Sequence, residues 1–267
     1  MRLVSILLLL TLVKLFWTVT LARPGCVVVE NTCGTSYTNT TPGCFIFANC
    51  ATTSSPLVVT LGNDAVLEVI GGSMPLNVTV GTGSTVVLSG VRVQLGSGVQ
   101  AQCLTMVGGL RSSIYFNGIT VECSTSSSST ISVSGFSTVS MERSVVVGGM
   151  GGTDVTRYGL LTVLNGVTLL NVTSSVFRMV VASPTAFAGQ DSRVGCVYVD
   201  ALNSANAYLT NVSGSWVGNS LGPNVDGLFG QLVVNSSSGA LIESRSCSFT
   251  GIQSTNKNCD TRVLGPS

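Results

Sequence analysis

The sequence predicts an all-β protein, a right-handed parallel β-helix (a solenoid) of about six or seven coils with a disulfide-rich N-terminal cap. The first observation is an apolar pair, spaced i and i+2, that recurs at intervals of 28, 27, 30, 36 and 35 residues. The pairs are Leu76/Val78, Leu104/Met106, Ile131/Val133, Leu161/Val163, Val197/Val199 and Leu232/Val234. Repeats of this length are typical of solenoids and propellers.

The second observation is another apolar pair that follows each first pair by 6 to 10 residues. These pairs are Val86/Leu88, Ile114/Phe116, Val139/Met141, Val167/Leu169, Ala207/Leu209 and Ala240/Ile242. Alternation with period two places both members of a pair on one face of a strand, so each pair points inward. An antiparallel β-sandwich is the alternative, because its strands also alternate and are also separated by Gly, Ser and Asn turns.

Residues 1–22 are predicted to be a secretory signal peptide. Arg2 precedes an apolar run, and Thr20-Leu21-Ala22 provides a small-residue cleavage site. An uncleaved anchor is the alternative, but Lys14 near the centre of the longer apolar run opposes membrane insertion. The mature chain then carries ten basic and eleven acidic residues, and the basic residues are scattered singly. We therefore expect no nucleic-acid partner and no membrane span in the mature chain.

Residues 23–55 are predicted to form the cap, because four of the nine cysteines fall there before the repeats begin. These are Cys26, Cys33, Cys44 and Cys50. In a secreted chain they indicate two disulfides, for which three connectivities are possible. A zinc site is the alternative, but the spacing contains no Cys-x-x-Cys pair. We therefore predict no metal and no cofactor.

The remaining cysteines lie in the β-helix, predicted over 56–251 with Leu57/Val59/Leu61 in its first coil, and in a C-terminal tail over 252–267. Cys103 and Cys123 are placed to bridge the two sides of one coil, and Cys247 and Cys259 to close a local loop. Cys196 is left over, as a buried thiol or as an intermolecular partner. It lies three coils from Cys103, about 14 Å away, which is beyond the reach of a disulfide.

Binding is predicted where coils lengthen, because insertions in solenoids tend to lie on one face and often bind. The two intervals of 36 and 35 residues place extra loop at 182–195 and 218–230. The candidate ligand-binding residues are Arg178, Asp191, Arg193, Trp216, Asn219, Asn224 and Asp226. Trp216 is expected to be a core residue of its coil, or alternatively to stack on a sugar.

Five Asn-x-Ser/Thr sequons are candidate N-glycosylation sites, at Asn39, Asn77, Asn171, Asn211 and Asn235. In a host that does not glycosylate asparagine, they are ordinary polar and turn residues.

The coils also resemble known families. The segments that begin at Leu170, Leu209 and Leu241 are similar to coils of pectin-lyase-like right-handed parallel β-helix proteins. Trp216-Val-Gly-Asn219 is similar to the aromatic-x-x-Asn element of polymorphic outer-membrane proteins, whose companion Gly-Gly-Ala-Ile element is missing here. Residues 56–251 are rich in Val, Gly and Ser and contain few charged residues and some cysteines. This composition resembles that of the dispersed gene family of trypanosomatid surface proteins, which are longer and carry membrane spans. The resemblance implies an adhesion-type surface or secreted protein.

Catalysis is not predicted. The chain has no histidine, which excludes Ser/His/Asp and Cys/His triads. The Asp-Asp and Gly-His-Gly elements of polygalacturonase-like enzymes are missing as well. The sequence therefore predicts a non-catalytic secreted or cell-surface glycoprotein with an adhesion, display or structural role, whose partners are carbohydrates or surface glycoproteins. The alternative is a polysaccharide lyase or glycoside hydrolase that uses Asp191, Asp200 or Asp226 as paired carboxylates.

Overall fold

The computed structural model describes residues 25–29, 36–50, 56–95, 103–126, 129–150, 157–181, 192–201, 205–218, 227–236, 240–250 and 261–264. These residues form 24 β-strands and no helix. The strands build three parallel sheets, which we name A, B and C. Every strand pair in these ranges is parallel, so the β-helix prediction is confirmed and the antiparallel sandwich is wrong.

Sheets A and B have nine described strands each, and sheet C has six. Sheet A contains, in spatial order, β1 (Cys26–Val29), β3 (Cys44–Ala48), β5 (Val66–Ile70), β7 (Thr85–Ser89), β10 (Ser113–Asn117), β13 (Thr138–Glu142), β16 (Leu169–Thr173), β19 (Ala205–Thr210) and β22 (Ala240–Arg245). Sheet B contains β2 (Ser36–Asn39), β4 (Leu57–Leu61), β6 (Leu76–Val80), β9 (Leu104–Val107), β12 (Ile131–Ser134), β15 (Arg157–Leu164), β18 (Ser192–Ala201), β21 (Gly227–Ser236) and β24 (Thr261–Leu264). Sheet C contains β8 (Arg92–Leu95), β11 (Thr120–Ser126), β14 (Val145–Met150), β17 (Val176–Val181), β20 (Ser213–Gly218) and β23 (Ser248–Thr250).

Each coil runs through one strand of sheet B, one of sheet A and one of sheet C. Six coils have all three strands, from β6, β7 and β8 to β21, β22 and β23. A shorter coil of β4 and β5 precedes them, and there Ser73 makes an isolated parallel bridge to Arg92. The eight strand spacings across sheet B, at about 4.8 Å each, give a stack roughly 38 Å high.

The first predicted apolar column is present in sheet B. Leu76, Leu104, Ile131, Leu161, Val197 and Leu232 are successive register partners, so the five sequence intervals are the five coil lengths. The first five pairs are almost fully buried, and the side chains of Leu232 and Val234 lie outside the described set. The periodicity of the sequence therefore predicted the register of this sheet.

The second column, in sheet A, differs from the prediction at two coils. Leu170 and Val172 pair with Val139 and Met141, whereas the sequence favoured Val167 and Leu169. Val167 lies buried in the turn before the strand, and Leu169 points outward. In the last coil the partners of Ala207 and Leu209 are Ile242 and Ser244, whereas the sequence predicted Ala240 and Ile242. In the coil of Leu170 the cause is the B-to-A turn, which has three residues after β12 but four after β15.

The bend from sheet A to sheet C repeats one backbone conformation. The residue that follows the sheet A strand has a φ between 49° and 63° in eight successive coils. These residues are Asn49, Gly71, Gly90, Gly118, Arg143, Ser174, Asn211 and Ser246. From Asn49 to Asn211, each backbone N–H donates to the carbonyl of the last sheet A residue of the next coil. The left-handed conformation turns the chain sharply and keeps the hydrogen-bond ladder continuous around the corner.

Buried serines complete the ladder at other turn positions. The Ser112 hydroxyl donates to the carbonyl of Gly81 at 2.9 Å and accepts from the amide of Ser84 at 3.1 Å. The Ser175 hydroxyl accepts from the amide of Ser144 at 3.2 Å at the A-to-C turn. Since these side chains have almost no contact with solvent, each hydroxyl replaces a hydrogen bond that the turn would otherwise lose.

The N-terminal cap contains disulfides, as predicted. Cys26 and Cys44 join β1 to β3 with a Cα–Cα distance of 4.5 Å. Cys50 is also disulfide-bonded. Cys33 lies outside the described residues. Tyr37 packs against Phe45 and Phe47, with ring centroids 5.8 and 5.4 Å away, and these rings fill the first coils of the core.

Two predictions for the other cysteines can be compared with the structure. Cys103 and Cys123 form the predicted disulfide across one coil, with a Cα–Cα distance of 6.5 Å. Cys247 is a thiol in the structure, and its predicted partner Cys259 lies outside the described residues. Cys247 occupies the A-to-C turn, where its Sγ is 3.3 Å from the Arg245 carbonyl. It therefore takes the position that Ser144 and Ser175 hold in earlier coils. Cys196 is a buried thiol.

The predicted signal peptide and the tail from 252 to 260 fall outside the described residues. Within the described ranges, no helix has the length and apolar character that a membrane span requires.

Candidate binding surface

Most of the predicted ligand-binding residues cannot be compared with the structure. Asp191, Asn219, Asn224 and Asp226 lie outside the described residues. Arg193 lies in β18 and Trp216 in β20, but their side chains are also outside the described set. Arg178 is exposed on the outer side of β17.

The register of sheet C separates two of these residues. Trp216 pairs with Met179, whose side chain is fully buried, while Arg178 pairs with Ser215. The two residues therefore occupy register positions that are one residue apart and are not direct partners across the ladder.

Asp200, one of the three candidate catalytic carboxylates, lies near the end of β18 and is partly buried. The hydroxyl of Tyr198 donates to its Oδ2 at 3.5 Å, and Tyr198 has no solvent exposure. Among the described residues, no group of three His, Cys, Asp or Glu side chains is arranged to hold a metal ion.

The outer face of sheet A, from β7 to β19, presents mainly polar side chains to solvent over five successive coils. We call it the sheet A face. Ten of its fifteen outward positions carry Ser, Thr or Asn, two carry Tyr, two carry aliphatic residues and one carries Glu. The fifteen residues are Thr85, Val87, Ser89, Ser113, Tyr115, Asn117, Thr138, Ser140, Glu142, Leu169, Asn171, Thr173, Asn206, Tyr208 and Thr210.

The two tyrosines share one column of this face. Tyr115, Ser140, Asn171 and Tyr208 are successive register partners in β10, β13, β16 and β19. Three coil spacings place Tyr115 and Tyr208 about 14 Å apart, with an amide and a hydroxyl between them. Tyr115 is 40% exposed, Asn171 is exposed and Tyr208 is partly exposed. The column therefore combines two aromatic surfaces with hydrogen-bonding groups at fixed intervals.

Among the fifteen residues of the sheet A face the charged side chain is Glu142, and Glu243 in β22 is the register partner of Tyr208. Glu142 forms an ion pair with Arg143, whose Nε lies 3.1 Å from Oε1, and Arg143 also donates to the Oδ1 of Asn117 at 2.9 Å. Both members of the ion pair are more than half exposed. Because the pair is neutral as a whole, the centre of the face carries no net charge.

The sequons lie on different parts of the β-helix. Asn77 is exposed on the outer side of sheet B, Asn171 on the sheet A face and Asn211 at the A-to-C turn. Asn39 is partly buried, and its Oδ1 accepts hydrogen bonds from the amide and the hydroxyl of Thr41, at 2.9 and 2.7 Å. The side chain of Asn235 lies outside the described set.

Comparison of the chain with protein-family models, curated proteins and solved structures gives no match. The likeness to pectin-lyase-like, trypanosomatid and outer-membrane surface proteins therefore remains one of sequence pattern. Conclusions about function have to come from the surface itself.

Sequence reasoning did not single out Tyr115 or Tyr208. The signal was present, since each tyrosine lies between the two members of a predicted inward pair, Ile114/Phe116 and Ala207/Leu209. An aromatic residue between two inward residues must point outward. That rule, applied along the whole column, would have found both tyrosines.

Proposed function

We propose that this protein is a non-catalytic, secreted or cell-surface glycoprotein whose role is adhesion or display. We further propose that the sheet A face is the surface that binds its carbohydrate ligand. The observation that carries the proposal is the composition of that face, which is exposed, nearly uncharged, and rich in hydroxyl and amide groups around two tyrosines.

Such a surface suits a neutral, polyhydroxylated ligand. Hydroxyl and amide side chains both donate and accept hydrogen bonds, so they can match the hydroxyl groups of a glycan in either direction. Tyrosine adds an apolar ring with a polar tip, which is well suited to a partly wet contact. A phosphate-rich ligand is disfavoured, because it would require clustered Lys and Arg.

The fold supports a repeated contact. Outward residues of neighbouring coils are held about 4.8 Å apart by the parallel ladder, which fixes the spacing of the whole face before any ligand arrives. Sites on regular strands are more precisely placed than sites on loops, and a preorganised site loses less conformational freedom on binding. A polymeric glycan could therefore contact several coils at once.

An extracellular location is supported by the disulfides. Cys26–Cys44 and Cys103–Cys123 are compatible with an oxidising environment, in which structural disulfides persist. Together with the predicted signal peptide and the exposed sequons, they fit a glycoprotein that enters the secretory route.

The test is binding of the purified secreted protein to an array of neutral and acidic glycans, with a parallel assay for release of reducing ends. The double variant Tyr115→Ala/Tyr208→Ala should lose at least tenfold in affinity for the glycan that the wild type binds. Val145→Ala/Val176→Ala is the matched control, since it also truncates two exposed large side chains, on sheet C. It should bind like the wild type.

Two results would overturn the proposal. Equal losses in both double variants would mean that the sheet A face is not the contact surface. Release of reducing ends by the wild type, abolished in an Asp191/Asp200/Asp226 triple Asn variant, would make the protein a carbohydrate-active enzyme.

A further inference from the structure

Among the described residues, the inward column of sheet A ends in partly or largely exposed apolar side chains at both terminal strands. Phe45 and Leu67 are inward residues with 3% and 0% exposure, but Val27, the next inward residue of that column, is 56% exposed. At the other end, Leu170 and Ala207 have 0% and 1% exposure.

Ile242 continues that column at the far end and is only partly buried. In the same last strand Ser244 is exposed at an inward position, next to the buried Leu209. Inward side chains are therefore uncovered at both terminal strands, as expected where a further coil would pack.

The register of sheet A defines what such a coil must look like. Across all eight strand pairs the sheet keeps one register without a shift, so that Cys26 and Leu241 belong to the same column. A strand with the sequence of β1, added beside β22 in that register, would place Val27 next to Ile242 on the inward side. Two partly exposed apolar side chains would then bury each other.

The order of the strands makes a second copy of the chain a suitable partner. The last described strand, β24, belongs to sheet B, and the first, β1, belongs to sheet A. Within each coil a sheet B strand is followed by a sheet A strand, so β1 of a second copy takes the sheet A position that follows β24. Sheet C, whose first described strand is β8, is not continued at this junction. Its β2 would then lie beside β24, where the register of sheet B places Tyr37 next to Val263.

We propose that the β-helix associates head to tail with a second copy of itself, through β22 and β24 of one copy and β1 and β2 of the next. The driving features are the outer edges of these strands, which pair with no other strand among the described residues, and the apolar side chains that surround them. All strands of the combined sheets stay parallel, as they are within one copy. Because the two contacting surfaces differ, each addition leaves a new open end, and the association produces open chains of variable length.

The experiment measures mass against concentration for the mature protein, by light scattering and sedimentation velocity. The wild type should increase in mass with concentration. Val27→Lys, which places a charge at the N-terminal end, and Ile242→Lys, which does so at the C-terminal end, should each remain monomeric. Leu110→Lys is the matched control, because Leu110 is 72% exposed in a turn in the middle of the stack. It should associate like the wild type.

Mixing the two end variants gives the decisive result. Val27→Lys keeps an intact C-terminal end and Ile242→Lys keeps an intact N-terminal end, so the mixture should form a species of twice the monomer mass and grow no further. Circular dichroism and thermal unfolding of each variant establish that it is folded. If Val27→Lys unfolds, Val27→Ser replaces it, because it removes the same inward apolar side chain without adding a charge.

Three outcomes would overturn the proposal. The first is a wild type that stays monomeric at every concentration. The second is association of Ile242→Lys alone, which would indicate contact between two N-terminal ends. The third is a loss of association in Leu110→Lys equal to that in the end variants, which would place the contact on the side of the β-helix.

Discussion

Replacement of Ser112 by Ala tests whether buried serines hold successive coils together. The Ser112 side chain has no solvent exposure, and its hydroxyl donates to the Gly81 carbonyl and accepts from the Ser84 amide. Alanine fits the same space but leaves both backbone groups without that partner. An unsatisfied buried group costs about 1–3 kcal/mol, and Gly81 retains some contact with solvent, so we expect a loss of about 2–4 kcal/mol in the free energy of unfolding.

The assay is equilibrium unfolding in denaturant, together with the thermal midpoint. For a chain of this size, the expected loss lowers Tm by roughly 4–16 °C. Ser113→Ala is the matched control, because it removes the same hydroxyl from the next residue, which lies on the outward side of β10 and is partly exposed. A surface change of this kind should alter stability by no more than about 0.5 kcal/mol. Similar losses in the two variants, or a loss below about 1 kcal/mol in Ser112→Ala, would refute the reasoning.

Three further predictions concern stability and are checked by the same unfolding measurements. Gly118→Ala should cost about 1–2 kcal/mol, because Gly118 has a φ of +61° and the new Cβ would meet no atom within 4 Å, so only backbone strain contributes; a neutral effect would contradict this. Gly108→Ala should cost about 1–3 kcal/mol for a different reason, since its Cβ would come within 2.8 Å of the buried Phe136 ring. Phe136→Leu in the same chain should reduce that additional cost, whereas strictly additive losses would show that the two residues are not coupled. Replacement of both Cys103 and Cys123 by Ser should lower stability by about 3 kcal/mol, since the disulfide spans 20 residues; an unchanged Tm would argue that the bridge does not constrain the unfolded chain.

The success and failure of the sequence prediction have separate causes. The first apolar column was predicted residue by residue, because an i, i+2 pair determines which side chains point inward and its recurrence gives the coil length. The prediction of the second column failed at Val167 and Leu169, because Val167 is an apolar turn residue and has the sequence pattern of a strand start. Only the stacking of β16 on β13 shows that the turn has four residues and that Leu170 points inward.

The proposed binding surfaces could be predicted less well. The sequence favoured the loops of the two longest coils, but four of the seven candidates lie outside the described residues, and Arg178 pairs with Ser215 rather than with Trp216. The tyrosine column of sheet A links Tyr115 to Tyr208, which are 93 positions apart in the chain. No local pattern joins them, because their proximity depends on the lengths of all the turns between them.

The sequence by itself determined the all-β class, the coil lengths, the inward column of sheet B, the Cys103–Cys123 bridge and the lack of histidine chemistry. These properties follow from local alternation, from cysteine spacing or from composition. The tertiary structure decided which outward residues share a column, which serines complete the ladder and which ends of the sheets stay open. Those properties depend on register, and register is fixed only when the inward side chains of every coil pack on those of its neighbours.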